Sequence, residues 1–68
     1  MNVVKIIPKS QRAQNRVGEH GEEMELLDSK SDSFMVRSLK ETWKYREGVM
    51  GKWVGTFRNE EAEYEDVK

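Results

Sequence analysis

Between Gly21 and Val67 the chain alternates short apolar runs with polar segments rich in turn-forming residues. The runs are Met24–Leu27, Phe34–Leu39 and Trp53–Phe57. That spacing is typical of a small antiparallel β domain. The sequence therefore predicts an all-β fold, either a small antiparallel barrel or a twisted meander.

The residues within each run support this fold. Met24 and Leu26 share one face of their strand, with Glu23 and Glu25 opposite, as in a half-buried strand. In the second strand Phe34, Val36 and Ser38 point one way, and Met35, Arg37 and Leu39 point the other. The third strand, Lys52–Phe57, places Trp53, Gly55 and Phe57 on one face and Val54 and Thr56 on the second.

The segments on either side complete the predicted architecture. Asn2–Ile7 is rich in β-branched residues and suits a strand that Pro8 stops. Lys40–Gly51 places Trp43 and Tyr45 at strand spacing, which predicts a long twisted hairpin. The tail Glu60–Lys68 is predicted to make one helical turn and a last short strand, or to fray.

The segment after Pro8 is predicted to be a basic arm. Ser10 is a suitable helix N-cap, but Lys9–Arg16 has almost no apolar stripe, so we expect a loop or a single turn. Gly18 and Gly21 bracket a turn that leaves His20 exposed. The predicted organisation is a strand and basic arm over 1–18 and one small β domain over 19–68.

Size and composition limit the protein to one domain in an aqueous compartment. The chain has 68 residues and no cysteine, so disulfides and thiolate ligands are excluded and an intracellular location is favoured. No apolar run approaches the roughly 20 residues that span a bilayer, and Met1–Pro8 is too short and too weakly apolar for a secretory signal. We expect a soluble, cytoplasmic protein without a membrane partner.

The net charge of −1 conceals four blocks of alternating sign. Residues 1–16, 17–33, 34–58 and 59–68 carry +4, −5, +4 and −4. Two interpretations stay open: the blocks lie side by side and neutralise one another, or they steer a partner towards the surface.

Three segments resemble the central strands of Src-homology-3-type barrels: Gly21-Glu-Glu-Met-Glu-Leu-Leu-Asp, Ser33-Phe-Met-Val-Arg-Ser and Gly51-Lys-Trp-Val-Gly. The resemblance implies a Src-homology-3-like barrel. It does not extend to the groove in which such domains bind proline-rich peptides. Arg12–Gly18 has no aromatic residue, Ser33-Phe34 stands where a tandem Trp is expected, and Arg58-Asn-Glu-Glu replaces the Pro-Ser-Asn-Tyr turn.

The N-terminal segment resembles the start of small uncharacterised proteins encoded by phages and prophages. The matching residues are Lys5-Ile-Ile-Pro-Lys and Arg12-Ala-Gln-Asn-Arg-Val-Gly-Glu-His-Gly, which contain a basic Asn-Arg segment and a Glu-His-Gly turn. This implies a small accessory phage protein, in the cytoplasm of the host cell, with no function assigned by the resemblance.

Catalytic and metal-binding motifs are not supported. His20 is the only histidine, and with Glu19, Glu22 and Glu23 it makes none of the known His/Cys metal spacings. The serines lack a suitable base and a nucleophile elbow, and the glycines lack the context of a phosphate loop. We therefore expect a protein that is not an enzyme and that holds no cofactor or metal.

Two binding functions remain. An aromatic hairpin favours a protein partner bound through Trp43, Tyr45, Arg46 and Met50, because Trp, Tyr and Arg carry much interface energy. The alternative is single-stranded nucleic acid, with base stacking on Trp and Tyr and phosphate contacts from Lys9, Arg12, Arg16, Lys44 and Lys52. The pI near 5.8 weighs against nucleic acid. Exposed β edges also leave a homodimer open.

Overall fold

A computed structural model describes residues 2–67 and contains one helix and seven strands in that range. In chain order the elements are β1 (Val3–Pro8), α1 (Gln11–His20), β2 (Glu23–Ser29), β3 (Ser33–Ser38), β4 (Trp43–Lys44), β5 (Met50–Gly51), β6 (Val54–Arg58) and β7 (Ala62–Asp66).

Five of the strands form one antiparallel sheet in the order β6-β3-β2-β1-β7. The all-β class is confirmed. The two edge strands of this sheet, β6 and β7, do not pair with each other within residues 2–67, so the sheet is an open meander and not a closed barrel. The predicted hairpin is also present, because β4 and β5 form a separate two-stranded sheet.

Alternation along the strands turns one face of the sheet towards the core. Phe34, Val36 and Ser38 of β3 are all buried, and the register places Phe34 opposite Phe57 of β6. In β2 a bulge between Leu26 and Asp28 interrupts the alternation. The buried hydrophobic residues form one cluster: Val4, Ile6, Ala13, Met24, Phe34, Val36, Trp53, Phe57 and Ala62.

The prediction of a loop or a single turn over Lys9–Arg16 was wrong. The chain forms α1, a helix of 10 residues. Ser10 is the N-cap, and its hydroxyl accepts a hydrogen bond of 3.1 Å from the backbone N–H of Ala13. The helix is stable here because Ala13 packs into the core and Val17 packs against it, which an isolated peptide cannot do.

The tail forms the last short strand of one of its two predicted outcomes, but the turn before it is not helical. Residues 59–61 make the turn, and β7 pairs with β1 with Tyr64 opposite Ile6. The pairing continues to Val67, whose N–H donates to the Val3 carbonyl at 3.2 Å. The other predicted outcome, fraying of the tail Glu60–Lys68, also covers Lys68, which lies outside the described residues, as does Met1.

Candidate functional site

The β4–β5 hairpin has its own backbone hydrogen bonds. Trp43 lies opposite Gly51 and Lys44 opposite Met50. The hairpin continues past the strands, because the Tyr45 N–H donates to the Val49 carbonyl at 2.9 Å. The N–H of Gly48 donates back to the Tyr45 carbonyl at 2.9 Å and closes the turn that carries Arg46.

The hairpin exposes four large apolar side chains. Trp43 is 41% exposed, Tyr45 43%, Val49 61% and Met50 47%. Arg46 is also exposed. We refer to these five residues as the hairpin surface, and it includes all four of the residues predicted to bind a protein partner. The structure brings them together on one short segment.

The members of the hairpin surface divide between two faces. Residues directly opposite each other in an antiparallel pair share a face, and residues two apart along a strand do so too. Trp43, Tyr45 and Val49 therefore lie on one face together with Gly51. Met50 lies on the other.

Tyr45 is held in place by the hairpin itself. Its hydroxyl donates to the Lys52 carbonyl at 3.0 Å. Its ring lies against Gly51, where an added methyl group would overlap the ring. Glycine at this position is therefore what allows the aromatic ring to lie so close to the backbone of Gly51.

His20 connects the hairpin to the rest of the protein, and the prediction that it is exposed in a turn was wrong. It is the last residue of α1 and only 3% exposed. Its Nδ1 shares a hydrogen bond of 2.7 Å with the hydroxyl of Thr42, directly before β4. Its ring stacks on Trp53 at 4.4 Å between centroids, and the Trp43 ring lies 6.3 Å away.

The other imidazole nitrogen is buried without a hydrogen-bond partner. His20 Nε2 lies 3.4 Å from Glu19 Oε2, but the geometry makes no hydrogen bond. Burial lowers the pKa of His20; the Glu19 carboxylate opposes this shift and Arg16 adds to it. The neutral imidazole is therefore the form that fits this site.

A helical stripe in the sequence contained the information needed to locate His20. Ala13, Val17 and His20 are spaced by four and three residues, which places them on one face of a helix. Sequence reasoning missed this pattern because alanine and histidine are not strong markers of a buried face. The same stripe also identifies α1.

The basic residues predicted to contact phosphates differ in whether a carboxylate lies beside them. Lys9 Nζ lies 2.9 Å from Glu63, Arg12 is 3.2 Å from Glu61, and Arg16 is 3.4 Å from Glu19. These three cations therefore pair with acids of the same chain. In contrast, Lys44 and Lys52 are exposed and have no carboxylate oxygen within 4.0 Å in the described part of the chain.

Glu61 accepts hydrogen bonds from the Arg12 guanidinium and from the backbone of Arg58. The backbone N–H of Arg58 donates to Glu61 Oε2 at 3.2 Å, and this hydrogen bond lowers the pKa of Glu61. Partial burial opposes the shift, and the charge of Arg12 adds to it. The pairing between α1 and the turn before β7 supports the interpretation that the charge blocks neutralise one another.

Within residues 2–67, no three His, Asp or Glu side chains come together in a group that could hold a metal ion. The same residues contain no helix of the length and hydropathy needed to cross a membrane.

Comparisons with protein-family models, curated proteins and solved structures find no match to this chain. The resemblances to Src-homology-3-type domains and to phage-encoded proteins stay predictions from the sequence.

Proposed function

We propose that this chain is a small non-catalytic binding module, an accessory protein of the phage type, that binds a protein partner through the hairpin surface. The observation that carries the proposal is the exposure of Trp43, Tyr45 and Val49 together on one face of a hairpin, with Met50 exposed on the other face; within residues 2–67 this hairpin pairs with no strand of the main sheet. Contiguous exposed apolar side chains mark interaction sites more often than they serve stability.

The fixed position of the aromatic rings favours binding. Tyr45 is held by Gly51 and by the Lys52 carbonyl, and Trp43 lies close to the buried His20 ring. A surface whose side chains are already held loses less conformational entropy when a partner docks. Tyrosine and tryptophan also supply large contact areas with few rotatable bonds.

The nucleic-acid alternative draws less support from the geometry. Three of its five predicted phosphate contacts, Lys9, Arg12 and Arg16, are paired with Glu63, Glu61 and Glu19 of the same chain. Breaking those pairs would cost part of the energy that new phosphate contacts supply. Lys44 and Lys52 alone make a small footprint for binding that depends on neutralising many phosphates.

Two pairs of matched substitutions test the proposal. Val49→Ala and Met50→Ala remove apolar contacts from the two faces of the hairpin, where these side chains are 61% and 47% exposed. Val54→Ala and Met35→Ala make the same changes on β6 and β3, where the side chains are 50% and 38% exposed. All four proteins are expected to fold, because each substitution shortens an exposed side chain.

The readout is affinity capture from the cells in which the protein occurs, followed by measurement of the affinity for the protein recovered. We expect at least one hairpin variant to lose that protein while both controls retain it. Equal recovery by all four variants would exclude the hairpin surface as the binding site. If the protein captured is a second copy of the chain, the module is a homodimer.

Trp43→Ala separates a binding role from a structural one. A folded Trp43→Ala protein that no longer captures the partner supports the proposal, because Trp side chains often dominate interface energy. If the substitution unfolds the protein, Trp43 belongs to the core. Circular dichroism distinguishes these two results before any binding is measured.

A further inference from the structure

Positive charge is concentrated on the hairpin. Residues 40–52 carry four cationic and two acidic side chains, a net charge of +2. Residues 2–39 and 53–67 together carry seven cationic and eleven acidic side chains, a net charge of −4. The hairpin is therefore a positive element on a negative body.

The hairpin and the body also differ in how their cations are paired. Five of the seven body cations lie within 4.0 Å of a carboxylate: Lys9, Arg12, Arg16, Arg37 and Arg58. None of the four hairpin cations does so within the described residues: Lys40, Lys44, Arg46 and Lys52. The charges of the hairpin are thus left for contacts outside the chain.

We infer that the hairpin surface binds a protein segment that carries acidic side chains next to an apolar anchor. This inference rests on the proposed function and names the chemistry of the partner. Met50 offers an apolar contact for the anchor, and Lys44, directly opposite it, provides a cation on the same face of the hairpin. Trp43, Tyr45 and Val49 add apolar contacts on the other face, and Arg46 adds a cation at the turn.

The negative body makes this arrangement selective. An acidic segment is repelled by the body and attracted by the hairpin, so the charges orient the encounter as well as strengthen it. Glu41 and Glu47 lie among the hairpin cations in the sequence, and their negative charges would repel the evenly spaced phosphates of a nucleic acid. A protein segment can place neutral side chains opposite those two acids, which favours protein over nucleic acid.

The probe is a display library of random linear peptides, selected on the full chain. We expect the enriched peptides to combine Asp or Glu with an aromatic or aliphatic residue. The affinity of a synthetic peptide carrying the enriched sequence is then measured at low and at physiological salt. Exposed charge pairs are screened by salt, so the affinity is expected to fall as salt is added.

Charge reversal provides the matched comparison. Lys44→Glu with Lys52→Glu reverses two unpaired hairpin cations, and Lys5→Glu with Lys30→Glu reverses two unpaired cations of the body. We expect the hairpin pair of substitutions to weaken binding of the peptide about tenfold, the effect of replacing two exposed attractions by repulsions. The body pair is expected to change binding by less than about twofold.

The experiments distinguish a wrong assignment of the partner's chemistry from a wrong assignment of the binding site. Enriched peptides that are neutral or basic, or equal effects of the two charge reversals, would overturn the acidic partner while leaving the hairpin as a binding site. No enrichment on the full chain relative to its Val49→Ala and Met50→Ala variants would overturn both. Tighter binding of a single-stranded oligonucleotide than of any peptide would assign the hairpin to nucleic acid.

Discussion

Trp53 is the side chain through which the core, the helix and the hairpin meet. It is buried, stacks on His20, and its ring lies 5.9 Å from that of Phe57. The Arg16 guanidinium lies 5.8 Å from the centre of the indole, on the side of α1. Gly55, two residues along the chain, lies directly beneath the indole ring, where a methyl group would overlap it.

Gly55→Ala is therefore expected to destabilise the protein. The added methyl group must displace Trp53 and with it the stack on His20, and overpacking of this kind costs about 1–3 kcal/mol. Gly18→Ala is the control, because Gly18 lies in α1 with no atom within 4 Å of the added methyl group. That change is expected to stabilise the protein by about 0.5–1 kcal/mol.

Urea denaturation followed by circular dichroism measures both effects. A Gly55→Ala protein as stable as the unsubstituted chain would show that Trp53 moves aside without loss. Such unchanged stability would contradict the tight packing of the indole ring on the backbone of β6.

At the scale of elements, α1 and the hairpin are joined at one point. The helix ends at His20, and the His20 ring is covered by Thr42 and Trp43 from the hairpin and by Trp53 from the body. One imidazole nitrogen is bonded to Thr42 and the other has no hydrogen-bond partner. A proton added to the imidazole would place a charge in this buried contact.

We expect the protein to lose stability as His20 is protonated. Burial lowers the pKa of His20 in the folded protein, so the unfolded chain binds the proton more readily. The free energy of unfolding is therefore expected to be at its full value above about pH 6.5, the ordinary pKa of histidine, and to fall as the pH drops below it. Glu61 adds a loss of the same sign, but at the lower pH where carboxylates titrate.

Proton NMR tests this directly, because His20 is the only histidine and its imidazole signal needs no assignment. A titration midpoint below that of a histidine in an unfolded peptide is expected, and a midpoint at or above that value would contradict the effect of burial. In a His20→Gln variant, the loss of stability between about pH 7 and pH 5 should disappear, since carboxylates titrate lower.

The elements differ in how far the sequence determines them. The strands were predictable because short runs rich in apolar residues, such as Phe34–Leu39 and Trp53–Phe57, lie between polar segments rich in turn-forming residues. The helix was missed, because its buried face, Ala13, Val17 and His20, contains only one strongly apolar residue and its stability comes from contacts with the core. The local propensity of Gln, Arg and Ala permits a helix there but does not stabilise one in isolation.

At the scale of the whole molecule, the hairpin lies outside the hydrophobic core. The core cluster contains residues from β1, α1, β2, β3, β6 and β7, together with Trp53, and none from residues 39–52. The exposed aromatic residues of the hairpin were predictable from their spacing in the sequence. The pairing of Lys9 with Glu63 and of Arg12 with Glu61 was not, since each pair joins residues about 50 positions apart through the fold.

Replacement of the hairpin by a tight turn tests this division into body and binding element. The pairing of β3 with β6 extends to Ser38 and Trp53, whose backbones are joined by a hydrogen bond of 2.8 Å. An Asn-Gly turn in place of residues 40–51 would continue that pairing as a two-residue hairpin between Leu39 and Lys52. We expect the shortened protein to fold and to lose all binding to the partner.

The shortened protein is expected to be less stable than the full chain. It lacks the Thr42 hydroxyl that bonds to the buried His20 ring, and a buried group left without a partner costs about 1–3 kcal/mol. A domain of this size tolerates a loss at the lower end of that range. A His20→Phe substitution in the same background removes one unpaired group and should recover part of the loss.

Two-dimensional NMR of the shortened protein decides the outcome. Dispersed amide signals from β1, β2, β3, β6 and β7, with partner binding lost, would establish that the body folds without the hairpin and that binding depends on it. Collapse of the dispersion in both the shortened protein and its His20→Phe variant would show that the hairpin is needed for folding. The exposure of Trp43, Tyr45, Val49 and Met50 would then no longer serve as evidence for a binding surface, because the segment that carries them would have a structural reason to be retained.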